Sequence, residues 1–120
     1  MSTGGAKSPT GIKIVAVVEA IFGLLISFVV VGYLFLPSFR NLPARVAGYM
    51  NVFIAVVAIF GVIYFLIAYG LWKMRSWSWK LAVGFHAVGV VLAILAGNVV
   101  TLTISGAIAV YVYSKRDSFP

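Results

Sequence analysis

Residues 12–36 read IKIVAVVEAIFGLLISFVVVGYLFL and decide the fold of this chain. Glu19 and Ser27 interrupt the interior of this apolar stretch, and the segment PSFRNLP at residues 37–43 ends it with two prolines and an arginine. A helix rises 1.5 Å per residue and a bilayer core is about 30 Å thick, so about 20 apolar residues are enough to cross it. The stretch therefore predicts a membrane-spanning helix.

Three further apolar stretches predict three more spans. They cover about residues 46–72, 79–96 and 98–113, and short breaks separate them: the basic turn KMRS at 73–76 and the turn signal Gly97-Asn98. The predicted fold class is therefore an all-α membrane protein, a bundle of four transmembrane helices.

The spans leave little chain for anything else. A single membrane domain is predicted at residues 12–113, with a disordered N-terminal tail at 1–11 and a basic C-terminal tail at 114–120. The last span gives only about 22 Å of helix. Either the last hairpin lies in locally thin bilayer, or Asn98 lies inside the hydrocarbon edge under neighbouring helices.

The composition excludes a soluble globule. Hydrophobic residues make up 63% of the chain, charged residues 9%, and the mean hydropathy is +1.14, whereas soluble domains carry about 25% charged residues. The first apolar run is too long for the apolar core of a secretory signal. Because the chain has no cysteine, disulfides, iron–sulfur clusters and thiol chemistry are excluded as well.

Basic residues concentrate on one side of the predicted spans. Arg40 and Arg45 lie in the first loop, whereas seven others lie at the termini and in the middle loop: Lys7, Lys13, Lys73, Arg75, Lys80, Lys115 and Arg116. The positive-inside rule then places both termini in the cytoplasm of a multi-pass cell-membrane protein.

The net charge of +7 is explained by this topology and by contact with anionic lipid headgroups on the cytoplasmic side. Nucleic acid is not expected as a partner, because no folded basic surface is left to bind it. Six residues around the middle loop are predicted to anchor the protein at the headgroup level: Trp72, Trp77, Trp79, Lys73, Arg75 and Lys80.

Two ionisable side chains are predicted at one depth in the bilayer. Glu19 lies seven residues into span one, and His86 lies seven residues into span three, which enters from the same side. Tyr64 and Ser105 fall near that layer. Since a carboxylate in hydrocarbon costs several kcal/mol unless it is paired or protonated, we predict an intramembrane polar cluster of Glu19, His86, Tyr64 and Ser105.

Two roles for this cluster stay open. Glu19 and His86 can satisfy each other and fix the helix register, or a desolvated glutamate beside a histidine can carry protons or bind a cation. With one histidine and no cysteine, no metal site and no cofactor is expected. The sequence offers no nucleophile with a base and an orienting acid, so no catalytic residue and no enzymatic activity is predicted.

Small residues recur at helical spacing in the first two spans and would let another backbone approach closely. The predicted helix-packing residues are Ala16, Ala20, Gly23, Ser27, Asn51, Ala55 and Ala58. Polar side chains also follow one side of span four, at Asn98, Thr101 and Ser105. Four large aromatic residues fit contact with lipid and with partner helices equally well: Phe22, Phe28, Phe53 and Phe60.

Five motifs distributed over the chain carry a resemblance: PTGIKIVAVVEAIFG at residues 9–23, AYGLWK at 68–73, WSW at 77–79, GN at 97–98 and YVYSKR at 111–116. Together they resemble an uncharacterised family of small four-span membrane proteins common in archaea. The resemblance implies four helices, both termini inside, and no assigned reaction.

A second resemblance rests on AVVEA at residues 16–20, a solitary glutamate in the first of four short spans. It is similar to the small multidrug resistance transporters, in which such a glutamate exchanges protons for cationic compounds in a dimer. Glu19, and loosely Tyr64 and Trp72, match that pattern, whereas a histidine at the depth of the glutamate does not.

The minimal loops and the small-residue stripes favour a non-enzymatic accessory or scaffolding subunit of a larger membrane complex, of the respiratory or ammonia-oxidising type for example. Other membrane subunits are then the expected partners. The alternative is a small dimeric proton-coupled transporter of cationic compounds that uses Glu19.

Overall fold

The computed structural model describes residues 9–39 and 41–120, and within them all regular structure is helical. Four α-helices follow one another: α1 (Thr10–Phe35), α2 (Ala44–Trp72), α3 (Ser76–Ala96) and α4 (Val99–Ser114). The prediction of an all-helical chain with four helices is confirmed. α1, α2 and α3 are long and apolar enough to cross a membrane, whereas α4 has 16 residues and a length of about 24 Å.

Prolines, a glycine and an asparagine set the helix ends. Pro9 and Pro43 directly precede α1 and α2, where the missing N–H removes no hydrogen bond from the helix. Gly97 ends α3 in the left-handed conformation, with φ 68°, and the Asn98 side chain accepts a 3.0 Å hydrogen bond from the backbone N–H of Thr101. The Gly97-Asn98 pair therefore stops one helix and caps the next.

Three helices begin earlier than the hydropathy pattern predicts, and for α2 the start is Ala44 and not about residue 46. α1 takes in Thr10 and Gly11, which were expected in the disordered tail, because the backbone N–H of Lys13 already bonds to the carbonyl of Pro9 at 3.2 Å. Residues 1–8 of that tail lie outside the described residues. α3 begins at Ser76 and so includes the residues before Trp79.

The helices pack as two hairpins, α1 along α2 and α3 along α4, with a smaller contact between α2 and α3. The main cluster of buried apolar side chains lies where the start of α1, the α2–α3 turn and the end of α4 meet. Its members are Ile12, Val15, Ala16, Ile67, Leu71, Met74, Ala82, Val112 and Phe119. The core therefore sits at one end of the bundle.

The other end of the α1–α2 hairpin has little covering it. In the described part of the chain, no α1 residue beyond Gly23 is buried, and Ile54 is the one buried α2 residue before Gly61. The Tyr33 hydroxyl donates a 2.5 Å hydrogen bond to the side-chain oxygen of Asn51 and so ties the two helices together there. Beyond the core, the α1–α2 hairpin exposes many large apolar side chains on its surface.

Small residues bring α1 and α2 close at two points. Gly23 lies under the Phe65 ring and Gly61 under Ile26, and a Cβ at either glycine would sit 3.0 Å from the facing side chain. The other predicted packing residues differ in exposure: Ala16 is buried, Ala20, Ser27 and Ala58 are half-buried, and Asn51 and Ala55 are exposed.

The C-terminal segment folds back onto the bundle. Phe119 is only 7% exposed and belongs to the buried cluster. The Arg116 guanidinium stacks 4.1 Å from the centre of the Tyr113 ring, and its Nη1 donates a 2.9 Å hydrogen bond to the Tyr113 carbonyl. A C-terminal tail was predicted at 114–120 from its basic charge alone. The structure shows that Phe119 also holds this tail against the bundle.

Candidate functional site

A buried acid and a buried imidazole meet between α1 and α3. A hydrogen bond joins Glu19 Oε1 to His86 Nε2, and the two residues are 0% and 2% exposed. Glu19 lies about 14 Å along α1 from Thr10, and His86 about 15 Å along α3 from Ser76. Because both helices start at the same end of the bundle, the common depth expected from the sequence brings the two side chains into contact.

Only half of the Glu19 carboxyl is satisfied by this contact. Among the described residues, Glu19 Oε2 is buried and has no hydrogen-bond partner. A buried carboxylate with an unsatisfied oxygen is costly, and a proton or a small bound group at Oε2 would relieve that cost. The pair is therefore both a link between α1 and α3 and a group that can hold a proton.

Aromatic rings surround the imidazole. The Tyr64 ring lies 6.3 Å from the His86 ring and the Phe85 ring lies 5.6 Å from it, measured between ring centres, and both contacts are edge-to-face. Tyr64 also packs edge-to-face on Phe85 at 5.0 Å. Phe22 and Phe60 extend this cluster, with centres 5.7 Å from Tyr64 and 5.6 Å from Phe85 respectively.

The sequence did not separate contact with lipid from contact with a partner helix for four phenylalanines, and the structure now distinguishes two of them from the other two. Phe22 and Phe60 pack inside the bundle, whereas Phe28 and Phe53 are 72% and 58% exposed. Phe85 was not singled out from the sequence. Its position directly before His86 gave no signal, because adjacent side chains on a helix point about 100° apart.

A cleft of about 280 Å³ opens beside His86, between α2, α3 and α4. Tyr64, His86 and Ser105 line it, as do Asn98 and Thr101. Ser105 is 8% exposed and its Oγ faces Gly89, where a Cβ would sit 3.1 Å away. A glycine at this point lets the hydroxyl of α4 approach α3.

Three of the four residues of the predicted polar cluster line this cleft, and the fourth contacts one of them from outside it. Glu19 bonds to His86 from α1 and does not line the cleft, whereas Tyr64 and Ser105 lie on the cleft side. Asn98, for which cover by neighbouring helices was one expectation, is exposed. Its side chain caps α4, so its oxygen is satisfied locally.

The predicted interfacial anchors gather around the α2–α3 turn. Lys13 Nζ lies 5.4 Å from the centre of the Trp72 ring, and Lys80 Nζ lies 5.8 Å from that of Trp79, distances at which a cation is attracted to the ring face. The remaining predicted anchors are exposed near the same turn: Lys73, Arg75 and Trp77.

Across residues 9–39 and 41–120, no group of three or more histidine, cysteine, aspartate or glutamate side chains comes together. Comparisons with protein-family models, curated proteins and solved structures gave no match to this chain.

Proposed function

We propose that this is a multi-pass cell-membrane protein with four spans and cytoplasmic termini, and that it acts, without enzymatic activity, as an accessory or scaffolding subunit of a larger membrane complex. The observation that carries the proposal is the uncovered half of the α1–α2 hairpin. α1 and α2 are about 39 and 44 Å long against about 24 Å for α4, so the second hairpin covers only part of the first.

The uncovered half of the α1–α2 hairpin has a surface on which another transmembrane helix can pack. A groove of about 230 Å³ runs between α1 and α2, and its walls are apolar: Ile26, Ser27, Val30, Val31, Ala58, Gly61, Val62 and Phe65. The Ser27 hydroxyl bonds to the carbonyl of Gly23 at 2.9 Å, so it presents no unsatisfied donor there. Small residues along such a groove allow another transmembrane helix to approach closely.

The orientation rests on the basic residues. Among the described residues, six of the seven lysine and arginine side chains lie at the end of the bundle that holds the start of α1, the α2–α3 turn and the end of α4, while Arg45 lies at the start of α2, at the opposite end. This asymmetry supports a cytoplasmic location for the first end and contact with anionic headgroups there.

Labelling of single cysteines tests the topology. The natural chain has none, so Ser38→Cys, Ala96→Cys and Ser76→Cys each introduce one thiol at an exposed site. In intact cells, a membrane-impermeant maleimide is expected to label the first two and to spare the third. Labelling of Ser76→Cys and Ala96→Cys from the same side would contradict four spans.

Cross-linking from the groove tests the accessory role. A photo-activated cross-linker on Ala58→Cys, a groove residue, is expected to capture one defined membrane partner in native membranes. The same reagent on Val110→Cys, a 70% exposed position of α4 outside the groove, is the matched control. If the protein captures no partner from either site and migrates alone in mild detergent, the accessory role is wrong.

The second candidate function is proton-coupled transport of cationic compounds. The observation that favours it is the fully buried Glu19, one oxygen of which has no hydrogen-bond partner within residues 9–39 and 41–120. It requires the carboxyl to exchange a proton for the cation, so Glu19→Gln should abolish both cation binding and the accompanying proton release. The accessory role predicts no such coupled release from the natural protein.

A further inference from the structure

We propose that the cleft beside His86 binds the ring of a lipid-soluble, uncharged quinone or quinol, with the imidazole and the Ser105 hydroxyl as its hydrogen-bonding groups. The cleft lies on the α2–α3–α4 side of the bundle, and α2 contributes two residues to its lining, Phe60 and Tyr64. It is separate from the α1–α2 groove assigned above to a partner helix, so this inference does not depend on the proposed function.

The shape and the walls of the cleft suit a single ring. Its volume of about 280 Å³ is just below the 300 to 1,000 Å³ that is common for sites of small molecules. Three aromatic side chains line it, Phe60, Tyr64 and Phe85, and Phe85 packs edge-to-face on each of the other two. A flat conjugated ring can join such a group by stacking or edge contacts, and its apolar tail can remain in the bilayer.

Polar groups in the cleft need a partner that an acyl chain cannot supply. Glu19 occupies Nε2 of His86, which leaves Nδ1 as the ring nitrogen that can serve a ligand. Ser105 and Thr101 add hydroxyl groups from α4, on one face because they are four residues apart. A polar group in apolar surroundings is costly without a hydrogen bond, so a ligand with ring oxygens fits this wall better than a hydrocarbon chain.

Charge argues for a neutral ligand. In the described part of the chain, neither a carboxylate nor a lysine or arginine lines the cleft, and Glu19 bonds to Nε2 of His86 without lining the cleft itself. A cation or an anion would enter apolar surroundings without a direct counter-charge, which costs several kcal/mol. The Ser105 hydroxyl suits either oxidation state of the ring, because a hydroxyl can donate a hydrogen bond to a quinone carbonyl or accept one from a quinol hydroxyl.

Photolabelling with an azido-quinone tests the proposal on the full chain in lipid vesicles. Label is expected on residues of α2, α3 and α4 that line the cleft, and decylubiquinone should displace it. Val88→Trp places an indole in the cleft wall and should lower labelling at least tenfold. Val91→Trp is the matched control, since Val91 lies on the same helix, is 56% exposed against 57% for Val88 and does not line the cleft.

The hydrogen-bonding groups are tested separately. Ser105→Ala removes the hydroxyl without touching the Glu19–His86 pair and should weaken displacement by decylubiquinone about five-fold, as expected for one neutral hydrogen bond. Decylbenzene, which has the ring and tail but no ring oxygens, should displace the label poorly. His86→Gln keeps a hydrogen-bonding side chain. It should weaken displacement by decylubiquinone more than Ser105→Ala does, but less than the exchange of decylubiquinone for decylbenzene does.

Three results would overturn the quinone site. Equal labelling of Val88→Trp and Val91→Trp would mean that the probe only partitions into lipid. Displacement by decylbenzene as good as by decylubiquinone would mean that an acyl chain fills the cleft. Displacement by tetraphenylphosphonium and not by decylubiquinone would mean a cation site, and would support the transporter alternative instead.

Discussion

His86→Leu is expected to lower the free energy of unfolding by about 3 to 5 kcal/mol, the range measured when one partner of a buried pair is removed. The reason is the isolation of Glu19, which is 0% exposed and whose Oε2 already lacks a partner among the described residues. Without the imidazole, neither carboxyl oxygen is satisfied. Unfolding in micelles, followed by steric trapping or by helical circular dichroism, measures the loss.

A double variant supplies the control for this prediction. Glu19→Leu combined with His86→Leu replaces the pair with apolar side chains and should recover most of the stability, because no buried polar group is then left alone. A loss of less than about 1 kcal/mol in the single variant would mean that Glu19 finds another partner, and the link between α1 and α3 would have to be abandoned.

Gly70→Ala is expected to destabilise the turn between the two hairpins by about 2 kcal/mol, within the range for overpacking. A Cβ at Gly70 would lie 2.5 Å from Ser78 Cβ and 2.8 Å from the Trp77 ring. Ser78 is fully buried and its hydroxyl donates a 2.6 Å hydrogen bond to the carbonyl of Arg75. The added methyl group would therefore clash with Trp77 and Ser78 beside the turn, and these residues have little room to move.

Gly84→Ala is the matched control, because a Cβ at Gly84, in the middle of α3, would meet no atom within 4 Å. It is expected to be neutral or to stabilise the helix by up to about 1 kcal/mol, the difference in helix propensity between glycine and alanine. Thermal unfolding of both variants in the same detergent gives the comparison. Equal effects at the two positions would show that the α2–α3 turn can open.

Helix positions and breaks could be predicted because they depend on local properties of the chain. The hydropathy of residues 12–36 and the turn at Gly97-Asn98 gave helices close to those observed. The errors fell at the starts of α1, α2 and α3, where the helical turn that follows Pro9, Pro43 or Arg75 precedes the apolar run. Such caps depend on single hydrogen bonds that hydropathy does not record.

The sequence by itself determined the depth of Glu19 and His86, because the fixed rise of a helix converts residue number into height along the bundle axis. Only the tertiary structure decided which side chains meet at that height. The angle at which each helix faces its neighbours depends on how all of them pack, so Glu19 reaches His86 without lining the cleft that Tyr64 and Ser105 line.

Tertiary packing also decided the burial of Phe119 and the exposure of half of the α1–α2 hairpin. Each is a contact, or a missing contact, between segments far apart in the chain. No local pattern of residues encodes it.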